Sequence, residues 1–211
     1  MTVSALASLF RFKLALPKPY RYFSLFMIVS LMIEVFAISW KWGLNNTGLW
    51  HFPKSNLWIY NIFLTLQLAF YAGFYYQMIH RNETRKIILY VTIPAAAFGI
   101  INFCFIQTPT TLNTFSIIPY YIIFILFAMV FFHQLLQDKE IIQLHTQSAV
   151  WISLGTFIYY SGALPYCIFL PYLIKQNLNL AITLLYINTA LDTLKYSFYL
   201  ISFLCKPLSL K

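Results

Sequence analysis

Charge is scarce in this chain. Of 211 residues, 14 are Lys or Arg and 5 are Asp or Glu, 9% in all, where a soluble domain carries about 25%. Too little polar surface is available to cover a soluble core of this size. Glycine is also rare, with 6 residues, and cysteine rarer, with 3. Those shortages exclude a collagen-like chain and a disulfide scaffold. Cys104, Cys167 and Cys205 are odd in number, far apart and without a Cys-x-x-Cys pair, so apolar packing is their expected role. A glycine-rich phosphate loop, a nucleophile elbow and a catalytic carboxylate pair are all missing, which leans the reading away from an enzyme without deciding it. No cofactor is called for, and no basic motif suits nucleic acid.

What is present is hydrophobic. The apolar class reaches 61%, aromatic residues 20%, and mean hydropathy is +0.72. A spanning helix needs about 20 mostly apolar residues, because the hydrocarbon core is ~30 Å thick and a helix rises ~1.5 Å per residue. Six such stretches are expected, at 22–40, 57–79, 87–107, 116–136, 149–174 and 180–205. A transmembrane barrel is excluded, since runs such as IIPYYIIFILFAMVFF show no alternation of apolar and polar positions. The chain therefore reads as all-α, a polytopic transmembrane helix bundle forming one domain over 1–211. No connection is long enough to fold as a soluble domain. Residues 1–10 are apolar but too short to span, and Arg11, Lys13, Lys18 and Arg21 follow them. That order is the reverse of a signal peptide. An interfacial segment is the expectation, with the tail of a truncated earlier helix as the alternative.

The basic residues set an orientation by the positive-inside rule. Arg11, Lys13, Lys18, Arg21, Arg81, Arg85, Lys86, Lys139, Lys206 and Lys211 fall on one side; Lys41, Lys54 and Lys175 fall on the other. Both termini are expected in the cytoplasm. Trp40, Trp42, Trp50 and Trp58 cluster at the opposite face as an interfacial belt. The net charge of +9 then reflects orientation and contact with anionic lipid. Two glycosylation sequons, Asn45-Asn46-Thr47 and Asn82-Glu83-Thr84, are short matches of little weight. Ala95, Ala96, Ala97 and Gly99 suit close helix approach. Pro94 and Pro119 are expected in first turns, where proline is tolerated, whereas Pro165 and Pro171 should bend or break the fifth span. No internal repeat is evident, which counts against an inverted-repeat transporter.

Three charges fall inside the spans: Glu34 in the first, Asp192 and Lys195 in the last. Each costs at least ~2.5–3.5 kcal/mol on insertion scales, so an intramembrane charge is a functional candidate by default. Asn188, Asp192, Lys195, Tyr199 and Ser202 are spaced 4, 3, 4 and 3 apart and share one helical face. Ser30, Glu34, Ala37 and Lys41 form a shorter stripe. Asn61 and Thr65 on the second span and Asn102 on the third add uncharged polar groups, and Tyr159, Tyr160 and Tyr166 come from the fifth. Counted from their helix ends, these groups share the outer half of the bilayer. The expectation is an outward-facing polar cavity with Asp192 and Lys195 at its floor. Its candidate ligand-binding or ion-pair residues are Glu34, Asp192, Lys195, Asn188, Asn61, Asn102 and Tyr199.

Other readings of the same residues stay open. Glu34, Asp192 and Lys195 could lock helices together in a structural subunit. Lys195 could carry a retinal Schiff base with Asp192 as counter-ion. His80, His133 and His145, near Glu83, Asp138 and Glu140, could build a metal or hydrolase site, although none shows the HExxH spacing.

Four segments carry a family likeness: FRFKLALPKPYRYF, NLWIYNIF (56–63), VWISLGTFIYYSG (150–162) and NTALDTLKYSFYLISFLC (188–205). With them the chain resembles a group of small, uncharacterised multi-pass membrane proteins of bacteria. Members of that group look like seven-helix proteins whose first helix precedes the basic segment. The resemblance implies a bacterial plasma (inner) membrane location and the general shape of a sensor module; it attaches no activity, ligand or catalytic residue. The leading expectation is a receptor-like or sensory module. It would take a small molecule from the outer side and act through a membrane or cytoplasmic signalling partner. A small proton-coupled transporter is the alternative.

Overall fold

The computed structural model describes residues 4, 17–43, 55–108, 110–137 and 147–205. They form six helices in sequence: α1 (Lys18–Trp42), α2 (Leu57–Met78), α3 (Asn82–Ile101), α4 (Thr114–Gln137), α5 (Ser148–Gln176) and α6 (Leu178–Leu204). A π-helical turn, Asn102–Ile106, ends α3. No β-strand occurs among the described residues, so the all-α bundle read from hydropathy is what the chain adopts. Its expected extent as one domain includes segments outside the described residues.

Among the described residues, α1, α2, α3 with its π turn, α4 and α5 are long and apolar enough to cross a membrane. α6 matches them in length, about 40 Å at ~1.5 Å per residue. It falls short in hydropathy because Asn188, Asp192, Lys195 and several threonines interrupt it. The exterior is correspondingly oily: Ile93, Phe105, Phe169 and Tyr186 are all more than half exposed. Such faces suit acyl chains rather than water. The helices thus belong to a multi-pass membrane protein.

Packing follows the chain. α5 and α6 make the most extensive pair; α4 lies on α5, and α2 contacts α1, α3 and α4. Only Asn177 separates α5 from α6, and its side-chain oxygen accepts from the Leu180 backbone N–H at 3.0 Å. That bond satisfies one of the four orphan donors at the start of α6. Aromatic rings fill the core. Phe23 of α1 meets Phe74 of α2 at 5.4 Å and Tyr199 of α6 at 5.0 Å between centroids, and Phe124 of α4 meets Tyr160 of α5 at 4.6 Å. At the other end of α1, Trp40 stands edge-on to Trp58 at 5.4 Å.

The prolines correct the sequence reading. Pro94 lies deep inside α3 and Pro119 inside α4, not in first turns. Pro94 is already the eighth residue counted from Ile87, where the apolar run begins, and the helix begins earlier still, at Asn82. The polar residues ahead of the run coil too: Lys86 pairs with Glu83 at 3.0 Å, and Arg85 Nε donates to the Ile79 carbonyl at 2.6 Å. Pro165 and Pro171 do not break α5, which is helical through both.

Candidate functional site

A cavity of about 610 Å³ opens between α1, α2, α4, α5 and α6. Its charged wall is built from opposite elements. Glu34 comes from α1, and Asp192 and Lys195 come from α6. Asn61 and Gln67 reach it from α2, Tyr121 from α4, Tyr159 and Tyr160 from α5, and Asn188 and Tyr196 from α6.

Lys195 is the organising group. Its side chain is 4% exposed, and Nζ donates to Asp192 Oδ1 at 2.6 Å. The i,i+3 spacing makes this pair intrahelical. The ammonium also stands 3.8 Å from the ring centre of Tyr159 and 4.6 Å from that of Tyr196, with Tyr160 at 5.8 Å. Three rings and one carboxylate thus replace its water, an arrangement in which each cation–π contact strengthens as solvent is excluded. Asp192 differs sharply, with 40% of its side chain exposed. The anion faces the void while the cation is sequestered behind it.

Glu34 is held differently. It accepts a hydrogen bond from the Tyr60 hydroxyl at 3.3 Å, and no Lys or Arg among the described residues pairs with it. Asn61 is 5% exposed and both ends of its amide are occupied: Nδ2 donates to the Thr111 carbonyl at 2.9 Å, and Oδ1 accepts from the Asn113 backbone N–H at 3.2 Å. Its hydrogen bonds pin the α3–α4 connection against α2. Asn188 is the reverse case. Its Oδ1 is buried and has no hydrogen-bond partner, which costs about 1–3 kcal/mol if left so.

Five of the seven expected site residues, Glu34, Asn61, Asn188, Asp192 and Lys195, therefore line one cavity. Asn102 does not. It is fully buried, and its Nδ2 donates to Ser116 Oγ at 2.7 Å and to Gln107 Oε1 at 3.0 Å, tying the π turn to the start of α4. Tyr199 does not line the cavity either. It sits one turn further along α6, in a buried chain of hydroxyls. Gln67 Nε2 donates to the Tyr160 hydroxyl at 2.8 Å, Tyr160 to Tyr71 at 3.5 Å, and Tyr71 is bonded to Tyr199. Tyr199 meets Thr156 Oγ1 at 3.0 Å, and Thr156 donates to the Ile152 carbonyl at 2.8 Å. Because Thr156 spends its proton on that carbonyl, the chain runs one way, from cavity wall to α5 backbone. Tyr166 and Thr65 are likewise absent from the lining; Thr65 Oγ1 sits 3.4 Å from the Tyr120 hydroxyl.

Tyr60, Gln67, Tyr121 and Tyr196 were not singled out from the sequence, yet all four line the cavity. Tyr196 could have been found, since it stands at i+4 from Asp192 and so shares its face. Of the four histidines the structure describes two, and neither lines the cavity. His80 Nδ1 meets Gln134 Nε2 at 2.7 Å, and His133 Nε2 meets Gln137 Nε2 at 3.3 Å. His145, Asp138 and Glu140 lie outside the described residues, as does Trp50. Among the described residues no three His, Cys, Asp or Glu side chains gather as a metal site would require.

Compared with protein families, with curated proteins and with solved structures, the chain matches none. The functional reading therefore rests on the cavity alone.

Proposed function

We propose that this chain is a receptor-like membrane module that takes a small molecule into the cavity among α1, α2, α4, α5 and α6. One observation carries the reading: charged groups from α1 and α6 converge on a void of about 610 Å³, within the size range of small-molecule sites. A bacterial plasma membrane with cytoplasmic termini fits the basic-residue asymmetry. In that setting the cavity lies toward the outer face, and a signalling partner reads the bound state from the cytoplasmic side. The hydroxyl chain from Gln67 to Thr156 lies beneath the cavity and connects α2, α5 and α6. A ligand that displaces Gln67 or Tyr160 would disturb all three helices. The test is thermal unfolding of the purified chain against a broad small-molecule library. Binding raises the melting temperature by mass action, and the rise should shrink in Asp192→Asn and Lys195→Met, each read against its own baseline. A library that moves nothing overturns the reading.

The two carboxylates in the cavity lining favour a second reading, a small proton-coupled transporter in which Glu34 and Asp192 exchange protons. Proteoliposomes that acidify or alkalinise on addition of a bound compound would favour it over the receptor. Absence of flux with every bound compound would remove it.

A further inference from the structure

We infer that the ligand of this cavity is an organic cation bearing N–H donors, a protonated amine on an apolar body. The inference rests on the cavity being a ligand site, and it concerns the chemistry that site selects. Two carboxylates, Glu34 and Asp192, line it against one ammonium. That ammonium is not available to an incoming anion, because Lys195 is 4% exposed and already held by Asp192 and the Tyr159 and Tyr196 rings. The charge presented to the void is therefore negative. Its unused hydrogen-bonding capacity is also one-sided. Asn188 Oδ1, a buried acceptor without a donor, lies behind the wall and is not itself open to the void. Glu34 is engaged at Oε2 and Asp192 at Oδ1, leaving the second oxygen of each carboxylate for an occupant. Acceptors without donors call for a molecule rich in N–H groups. Tyr60 and Tyr121 add aromatic rings to the lining, and aromatic rings favour a cation over a neutral or anionic group of the same shape. Glu34 from α1 and Asp192 from α6 would both draw an ammonium, so binding would bring those two helices together.

The experiment uses the full chain in detergent at constant ionic strength and neutral pH. Phenethylammonium, 2-phenylethanol, 3-phenylpropanoate and trimethyl(phenethyl)ammonium are titrated while unfolding is followed. Phenethylammonium should give a saturable rise in melting temperature, and the alcohol and carboxylate none. The trimethyl compound, with charge but no N–H, should bind about tenfold more weakly, the loss of one charge-assisted hydrogen bond. Glu34→Gln should weaken phenethylammonium by a similar factor. Should that variant not fold, the four-compound series on the native chain tests the inference without any variant. An equal shift from the alcohol or carboxylate overturns the cation inference and leaves the cavity as a ligand site. So does a failure of phenethylammonium where library compounds of other charge bind. Equal binding of the trimethyl compound overturns the N–H requirement. No shift from this series or from the library overturns the inference and the receptor reading together.

Discussion

The unequal burial of Asp192 and Lys195 predicts an unequal response to losing either one. Asp192→Asn leaves a lysine ammonium, 4% exposed, with no anion beside it. Removing one partner of a buried pair costs ~3–5 kcal/mol. The low end applies here, because the Tyr159 and Tyr196 rings stay in place and share the charge. Lys195→Met is milder. Asp192 is left alone but is 40% exposed, so water can take over its hydration, and the methionine sulfur gains aromatic contacts of ~0.3–1.5 kcal/mol in the ring cage. The lost cation–π contact, ~1–2 kcal/mol, is largely offset, giving a net cost of about 1 kcal/mol. The two variants should then differ by about 2 kcal/mol, or roughly 4–8 °C in melting temperature at ~2–4 °C per kcal/mol for a chain of this size. In the double variant the orphaned ammonium is gone, so it should melt above Asp192→Asn alone. The assay is thermal unfolding of all four proteins in one detergent, read as a double-mutant cycle. If Lys195→Met is as damaging as Asp192→Asn, or if the effects simply add, Lys195 is not held in the way its surroundings indicate.

Three further outcomes follow from packing and hydrogen bonding. A Cβ at Gly155 would lie 3.0 Å from Phe198 Cβ and 3.2 Å from the Lys195 carbonyl, both on α6, whereas one at Gly162 meets only the flexible end of Leu191. Gly155→Ala should therefore destabilise by ~1–3 kcal/mol, while Gly162→Ala should be neutral or stabilising in the same unfolding assay. A Cβ at Gly99 would overlap the Tyr120 hydroxyl, which donates to the Ala95 carbonyl at 3.1 Å. Gly99→Ala should lower the melting temperature, and adding Tyr120→Phe should recover part of the loss by clearing the oxygen. Tyr71→Phe and Tyr199→Phe each break the buried hydroxyl chain and should cost ~1–3 kcal/mol. Because they share a bond, the pair should cost less than the sum, measured as a cycle of unfolding midpoints.

Hydropathy made the helices legible, and the 4-3-4-3 spacing on α6 made its inward face legible. Ser202 confirms the register: it is buried, with its hydroxyl on the Tyr199 carbonyl at 2.7 Å. Spacing along one helix shows which residues share a face, but not which neighbour that face turns toward. Counting from the helix ends puts Asn102 near the level of Asn61, and that count alone assigns it to the cavity. No residue spacing on α3 says that its amide turns toward Ser116 on α4. The π turn that aims it is set by the Gln107 N–H bonding to the Asn102 carbonyl at 2.9 Å, a register choice that hydropathy cannot see. Tyr199 was misplaced for the opposite reason: the stripe it belongs to continues past the end of the void. The lining tyrosines escaped notice because tyrosine counts as apolar in composition while carrying a polar end. With 16 in the chain, type alone could not separate Tyr121 from Tyr76.

A purely structural role accounts for some of this site and not for all of it. The Asp192–Lys195 pair lies within one helix, so it cannot by itself bind α6 to anything; what ties α6 to α5 there is the ammonium resting on Tyr159. That contact uses the lysine fully and leaves its counter-ion exposed to the void. Glu34 contributes still less to packing. Its one hydrogen bond, to Tyr60 at 3.3 Å, is longer than the usual O–H···O range of about 2.5–3.0 Å. A carboxylate in a spanning helix costs ~2.5–3.5 kcal/mol to insert, more than that bond returns at ~0.5–1.5 kcal/mol. A chain shaped only for stability would gain by placing an apolar residue at position 34. The deficit is removed if the carboxylate meets a cation from outside the chain, which is what the titration of phenethylammonium against Glu34→Gln measures.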